Sequence, residues 1–152
     1  MKKYLLFTLT FLTILITLKI NAQENWEFFK AEEYCFIQSY PIKTVIPEGK
    51  SRGDYGMLVY KLSKSSELIV QITAGFNYKS SNSIDVKIDD GNYKFYTDDD
   101  TAWAEDDKKL IYAMKKGLVL VTSGVSGKGT KVVDTYSLKG FTSSVNRLSE
   151  DC

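Results

Sequence analysis

The chain has 152 residues, 20 Lys and Arg against 19 Asp and Glu, and no histidine, for a formal net charge of +1 at pH 7. This length suits a single domain with a real core. The lack of histidine excludes histidine-based catalytic triads and histidine-ligated zinc, and two cysteines cannot build a four-cysteine metal site.

Lys2 and Lys3 open the chain, and Tyr4 to Leu18 follow as an apolar run broken only by Thr8, Thr10, Thr13 and Thr17. Lys19 stops the run, and Ile20-Asn21-Ala22 ends on a small residue. This order reads as a secretory signal peptide over residues 1–22, cleaved before Gln23. The run has fifteen residues, short of the roughly 20 that cross a bilayer. An uncleaved N-terminal anchor is the alternative. No cysteine directly follows Ala22, so the lipid attachment of bacterial lipoproteins is not expected.

Residues 23–152 then form one exported domain, expected in the periplasm. Taking the three lysines of the signal from the 20 bases leaves 17 against 19 acids, a net of −2. With its lysines scattered, such a domain lacks the concentrated basic face that nucleic acid requires. Membrane contact is expected only through the signal before cleavage. Cys35 and Cys152 both fall in the exported part, where an even pair reads as one disulfide. Two separate buried thiols are the alternative.

Alternation of period two dominates the domain. Trp26 to Lys30 and Tyr34 to Ser39 read as a first strand pair, joined at Ala31 to Glu33. Pro41 to Gly56 reads as a loop, with both prolines and three glycines. Met57 to Leu62 is a strand, Ser63 to Ser66 a turn, and Leu68 to Ala74 a central strand with apolar residues on both faces at its start. Ser83 to Thr97 reads as a hairpin with Asp90-Gly91 as its positive-φ pair. A helix is expected from Asp106 to Lys116, with acids at its start, lysines at its end and Gly117 beyond. Leu118 to Thr122 is an apolar strand, Ser123 to Thr130 a glycine-rich turn, and Lys131 to Leu138 the last strand. Leu138, Phe141, Val145 and Leu148 recur at helical spacing, with Ser137 as the expected N-cap. The pattern predicts a mainly β domain: an antiparallel sandwich or barrel-like sheet of seven or eight short strands with two short helices.

Several chemistries can be weighed from spacing. No lysine has a serine three residues before it, which removes the Ser-x-x-Lys arrangement. Gly124 to Thr130 resembles a phosphate loop in composition, but Thr122 stands where the first glycine belongs and the segment leads into a strand. Asp98, Asp99 and Asp100, with Asp106 and Asp107, form an acidic cluster without the spacing of an EF-hand; it is open to calcium or to plain helix-start chemistry. Arg52-Gly53-Asp54 spells an integrin-type tripeptide, a three-residue match that a glycine turn flanked by ordinary surface charges explains. Asp134 shares its strand parity with Val132, Tyr136 and Leu138. If that face points inward, its carboxylate needs a partner, for which Arg52 is a candidate. The alternative is an outward Asp134 beside a bulge.

Arg52-Gly53-Asp54-Tyr55, Gly75-Phe76-Asn77-Tyr78, Asp100-Thr101-Ala102-Trp103-Ala104, Ala113-Met114-Lys115-Lys116-Gly117, Gly127-Lys128-Gly129-Thr130 and Asp134-Thr135-Tyr136-Ser137-Leu138-Lys139-Gly140-Phe141, followed by a final cysteine, resemble the motifs of the invasion-associated locus B family, exported proteins of alphaproteobacteria. The family often has Pro where Asn77 stands. The resemblance implies a β-sandwich of periplasmic or envelope location, with no assigned enzyme activity, no cofactor and no metal. It also implies a family name taken from host-cell invasion. Arg52, Asp54, Trp103, Asp134, Ser137 and Lys139 match motif positions, with structural or binding roles and no catalytic one. The expected function is a non-catalytic binding domain for an envelope or host component. Its rivals are a carboxylate- or calcium-dependent hydrolase using Asp134 or the Asp98–Asp107 cluster, and a secreted adhesion factor.

Overall fold

The computed structural model describes residues 25–79 and 83–152. The signal peptide expected over residues 1–22 lies outside the described residues. In chain order the elements are β1 (Glu27–Lys30), β2 (Tyr34–Ser39), β3 (Lys43–Val45), β4 (Gly56–Leu62), β5 (Leu68–Thr73), β6 (Ser83–Ile88), β7 (Gly91–Asp98), β8 (Thr101–Ala104), α1 (Asp107–Lys116), β9 (Val119–Val125), β10 (Lys131–Ser137) and α2 (Phe141–Glu150).

All ten described strands join one antiparallel sheet in the order β1-β2-β4-β5-β8-β7-β6-β9-β10-β3, curled into a half-barrel. β2 lies next to one edge and β3 forms the other, yet only Tyr40, Pro41 and Ile42 separate them. The two ends of the strand order therefore meet at this corner, where the fixed φ of Pro41 suits an abrupt change of direction. The Ile42 N–H donates to the Thr135 carbonyl at 2.8 Å and so starts the new pairing.

The core lies inside the curl. The longer strands send alternate residues there: Cys35 and Ile37, Met57 and Val59, Val70 and Ile72, Val86 and Ile88, Val132 and Tyr136. α2 caps one side of it with Phe141, Ser144, Val145 and Leu148, a buried stripe at helical spacing. It packs on β1, β2 and β4. The ring of Trp26 meets that of Phe141 edge-on at 4.9 Å. Trp26 Nε1 donates to the Ser137 carbonyl (3.0 Å), and the Ser144 hydroxyl donates to the Trp26 carbonyl (3.1 Å). Cys35 and Cys152 are disulfide-bonded, their Cα atoms 5.9 Å apart, so the end of α2 is tied to β2.

The sheet has more strands than the pattern predicts. β3 lies inside the stretch read as a loop, and β8 lies between two acidic clusters. β3 has three residues and β8 four, too few to display a period. β9 also runs past Thr122 to Val125, because it pairs with β10 along its whole length. The β6–β7 hairpin turns at Asp89-Asp90, with Ile88 opposite Gly91. The positive φ falls on Asp89 (48°), whereas Asp90-Gly91 was the expected pair. Asp89 is held there by its own carboxylate, which accepts the Leu118 and Val119 N–H groups. Ser137 is the last residue of β10, and the N-cap of α2 is Gly140 at φ 85° rather than Ser137.

Candidate functional site

Asp134 points inward and is buried. β10 carries it opposite Thr44 of β3 on one side and Thr122 of β9 on the other. Arg52 enters from the β3–β4 loop and meets it with both ends of the guanidinium. Nη1 donates to Oδ2 and Nη2 to Oδ1, each at 2.7 Å. The Thr44 hydroxyl donates to Oδ1 at 2.6 Å, and Arg52 Nη1 also reaches the Ala74 carbonyl at 3.3 Å. The Arg52 and Asp134 side chains retain only 5% and 7% of their exposure. Tyr55 covers the guanidinium, its ring centre 3.6 Å away.

Burial alone disfavours the charge on Arg52, but the hydrogen bonds and charge of Asp134 outweigh it, and the pKa of Arg52 rises. Two phenols beside the pair, Tyr78 and Tyr136, are pushed well up by burial and then by the Asp134 charge, so both stay neutral. The Tyr136 hydroxyl has no hydrogen-bond partner among the described residues. The arrangement is a clamp. It ties the β3–β4 loop, β3, β10 and the end of β5 together, and it leaves the carboxylate occupied on both oxygens.

Gly75 makes this approach possible. It sits at φ 74°, and its N-terminal neighbour Ala74 is the carbonyl that Arg52 reaches. The Gly53 N–H donates to the Gly75 carbonyl at 2.8 Å, and a Cβ on Gly75 would stand 2.6 Å from the Gly53 oxygen.

The remaining motif residues lie elsewhere. Asp54 is exposed on the loop beyond Arg52. Because Arg52 turns inward, the Arg-Gly-Asp tripeptide does not present its arginine to solvent. Ser137 and Lys139 sit at the turn into α2, the Ser137 hydroxyl accepting the Lys139 N–H at 3.3 Å. The acidic cluster is divided among structural tasks. Asp99 occupies the β7–β8 turn at φ 48°, and Asp106 caps α1 by accepting the Lys109 N–H. Asp107 accepts the Val70 N–H at 2.7 Å, and burial raises its pKa despite that bond. Among the described residues no group of three His, Cys, Asp or Glu side chains could hold a metal ion.

Trp103 belongs to a second feature, on the outside of the curl. Strands that bury one parity inward show aromatic residues on the other. Pairing puts Phe29 of β1 beside Phe36 of β2, Phe36 beside Tyr60 of β4, and Trp103 of β8 beside Tyr96 of β7. Phe29 and Phe36 stack at 4.9 Å, Tyr34 and Phe36 at 5.8 Å, and Tyr60 meets Trp103 edge-on at 6.2 Å. Leu58 and Leu62 of β4 lie among them, with Tyr34 and Leu62 directly opposite. A shallow depression is lined by Tyr34, Phe36, Leu58, Tyr60, Leu62 and Gln71. Burial raises the Tyr60 pKa, aided by the charge of Asp107, so its hydroxyl remains neutral. No described element covers this face, and Tyr34, Leu62 and Tyr96 stay 43%, 48% and 49% exposed. Only Trp103 of this group was singled out from the sequence. The available signal was β2 and β4 reading apolar at nearly every position, which an alternating strand with one wet face does not require.

A half-barrel of antiparallel strands closed on a buried Arg–Asp clamp, stapled by a disulfide, and bare on an aromatic outer face defines a small disulfide-closed β domain. The family model of the invasion associated locus B (IalB) protein matches residues 32–149, and the chain belongs to that family. The fold is similar to the crystal structure of invasion associated protein B from Bartonella henselae, with TM-score 0.62 and 17% identity over 84% of this chain and 93% of that one. No curated protein matches the chain.

Proposed function

We propose that the chain is an exported, non-catalytic interaction domain of the bacterial envelope, and that its working surface is the aromatic outer face of β1, β2, β4, β8 and β7. The carrying observation is that connected row of rings on an uncovered sheet. Contiguous exposed apolar patches on soluble domains mark interaction sites, and aromatic residues are enriched at them. The occupant is a protein surface of matching apolar character, since the face offers few charges and hydrogen-bond donors. The disulfide supports export, because such bonds persist in oxidising compartments. A non-catalytic role is supported by Asp134, the best acid for hydrolysis, being held by Arg52 and Thr44. The link to invasion in the family's name is read as a consequence of such binding.

The test compares capture from an envelope extract by the oxidised wild-type domain and by a Tyr34→Thr/Leu62→Thr variant. Threonine keeps strand propensity while removing the exposed apolar groups. A protein captured by the wild type should be lost with the variant while the melting temperature holds. Identical capture by both would contradict the assignment.

A further inference from the structure

Three loops meet at the end of the sheet where Arg52 enters: the β3–β4 loop, Phe76-Asn77, and the β9–β10 turn. They enclose a cavity of about 570 Å³, within the range of roughly 300–1,000 Å³ typical of small-molecule sites. Ile46, Phe76 and Val132 give it an apolar wall, and Ser51, Ser126 and Thr130 add hydroxyls. Every charged residue of the lining is a cation: Lys50, Arg52 and Lys128. Arg52 is neutralised by Asp134, whereas Lys50 and Lys128 are in no ion pair among the described residues. The residues at 23–152 carry a slight excess of acid, so an all-cationic lining runs against the composition of the domain.

The hairpin that carries Lys128 is also firmly built. The Ser126 N–H donates to the Thr130 carbonyl, the Gly129 N–H to the Ser126 carbonyl, the Thr130 N–H to the Ser126 hydroxyl, and the Gly127 N–H to the Asn77 carbonyl, at 2.8–3.1 Å. A lysine on a firmly held turn loses less freedom on binding than one on a mobile tip.

We propose that this cavity binds a small amphipathic anion, with its apolar part against Ile46, Phe76 and Val132 and its carboxylate or phosphate between Lys50 and Lys128. The site is separate from the aromatic face and does not depend on it. Octanoate is a suitable probe, with octanol and inorganic phosphate as controls for the two halves of the recognition, and anionic phospholipid vesicles to distinguish a free ligand from a membrane headgroup. Titration of the oxidised protein, followed by amide NMR, should show saturable octanoate binding with shifts at Lys50, Phe76, Gly127, Lys128 and Val132. Octanol and phosphate should bind at least about tenfold more weakly, as should octanoate to a Lys50→Glu/Lys128→Glu variant of unchanged melting temperature. Any of four results would overturn the proposal: no saturable octanoate binding, equal binding of either control, equal binding by the variant, or binding to vesicles alone.

Discussion

Asp134 shows how a buried carboxylate is held in place by its neighbours. A carboxylate inside a sheet is expensive to desolvate, and it persists here because a bidentate guanidinium and a hydroxyl replace its water. Removing one partner leaves the other charge buried and unpaired, which costs about 3–5 kcal/mol. Asp134→Ala should therefore lower unfolding stability by about 3–5 kcal/mol, read from the denaturant midpoint at constant slope. An Arg52→Met/Asp134→Leu double variant should recover most of that loss, since apolar replacement of a buried pair is often neutral. A midpoint unchanged by Asp134→Ala would mean that the clamp carries no stability. The inward parity of Asp134 was legible from Val132, Tyr136 and Leu138, and Arg52 could be named as a candidate partner. Thr44 and Tyr55 could not be added, because their approach depends on the corner at Pro41 and on the crossing at Gly75, neither of which leaves a periodic trace.

At the scale of elements, the stapling of α2 to β2 is the feature with the most local consequence. A ten-residue helix is marginal alone. α2 holds its place by its buried stripe, by Lys30 Nζ donating to the Asp151 carbonyl at 2.6 Å, by Arg147 packed over Phe28, and by the disulfide. The bond joins residues 117 apart in sequence. A Cys35→Ala/Cys152→Ala variant should lose about 2–5 kcal/mol. Hydrogen exchange should show Phe141–Glu150 opening before the central strands. Protection of α2 equal to that of the wild type would show that packing alone holds it. Both helices and the longer strands could be read from spacing, because each is long enough to repeat its period. β3 and β8 could not, and the aromatic face could not either, because alternation shows which residues share a face but not that no other element covers it.

For the whole molecule, the sheet encloses one ion pair, Arg52–Asp134, and carries much of its aromatic chemistry on the outside. The curl gives the interior to the core, the helix stripe and the Arg52–Asp134 clamp, and it spreads Phe29, Tyr34, Phe36, Tyr60, Trp103 and Tyr96 over a surface that no described element covers. The most direct measurement is photo-crosslinking in living cells, with a benzophenone amino acid placed singly at Tyr34, at Tyr96 and at Leu118. Leu118 is 76% exposed and precedes β9, whose neighbours β6 and β10 carry none of the rings of the face. A partner on the aromatic face predicts the same adduct from Tyr34 and Tyr96 and none from Leu118. Adducts from Leu118 alone, or equally from all three positions, would contradict it.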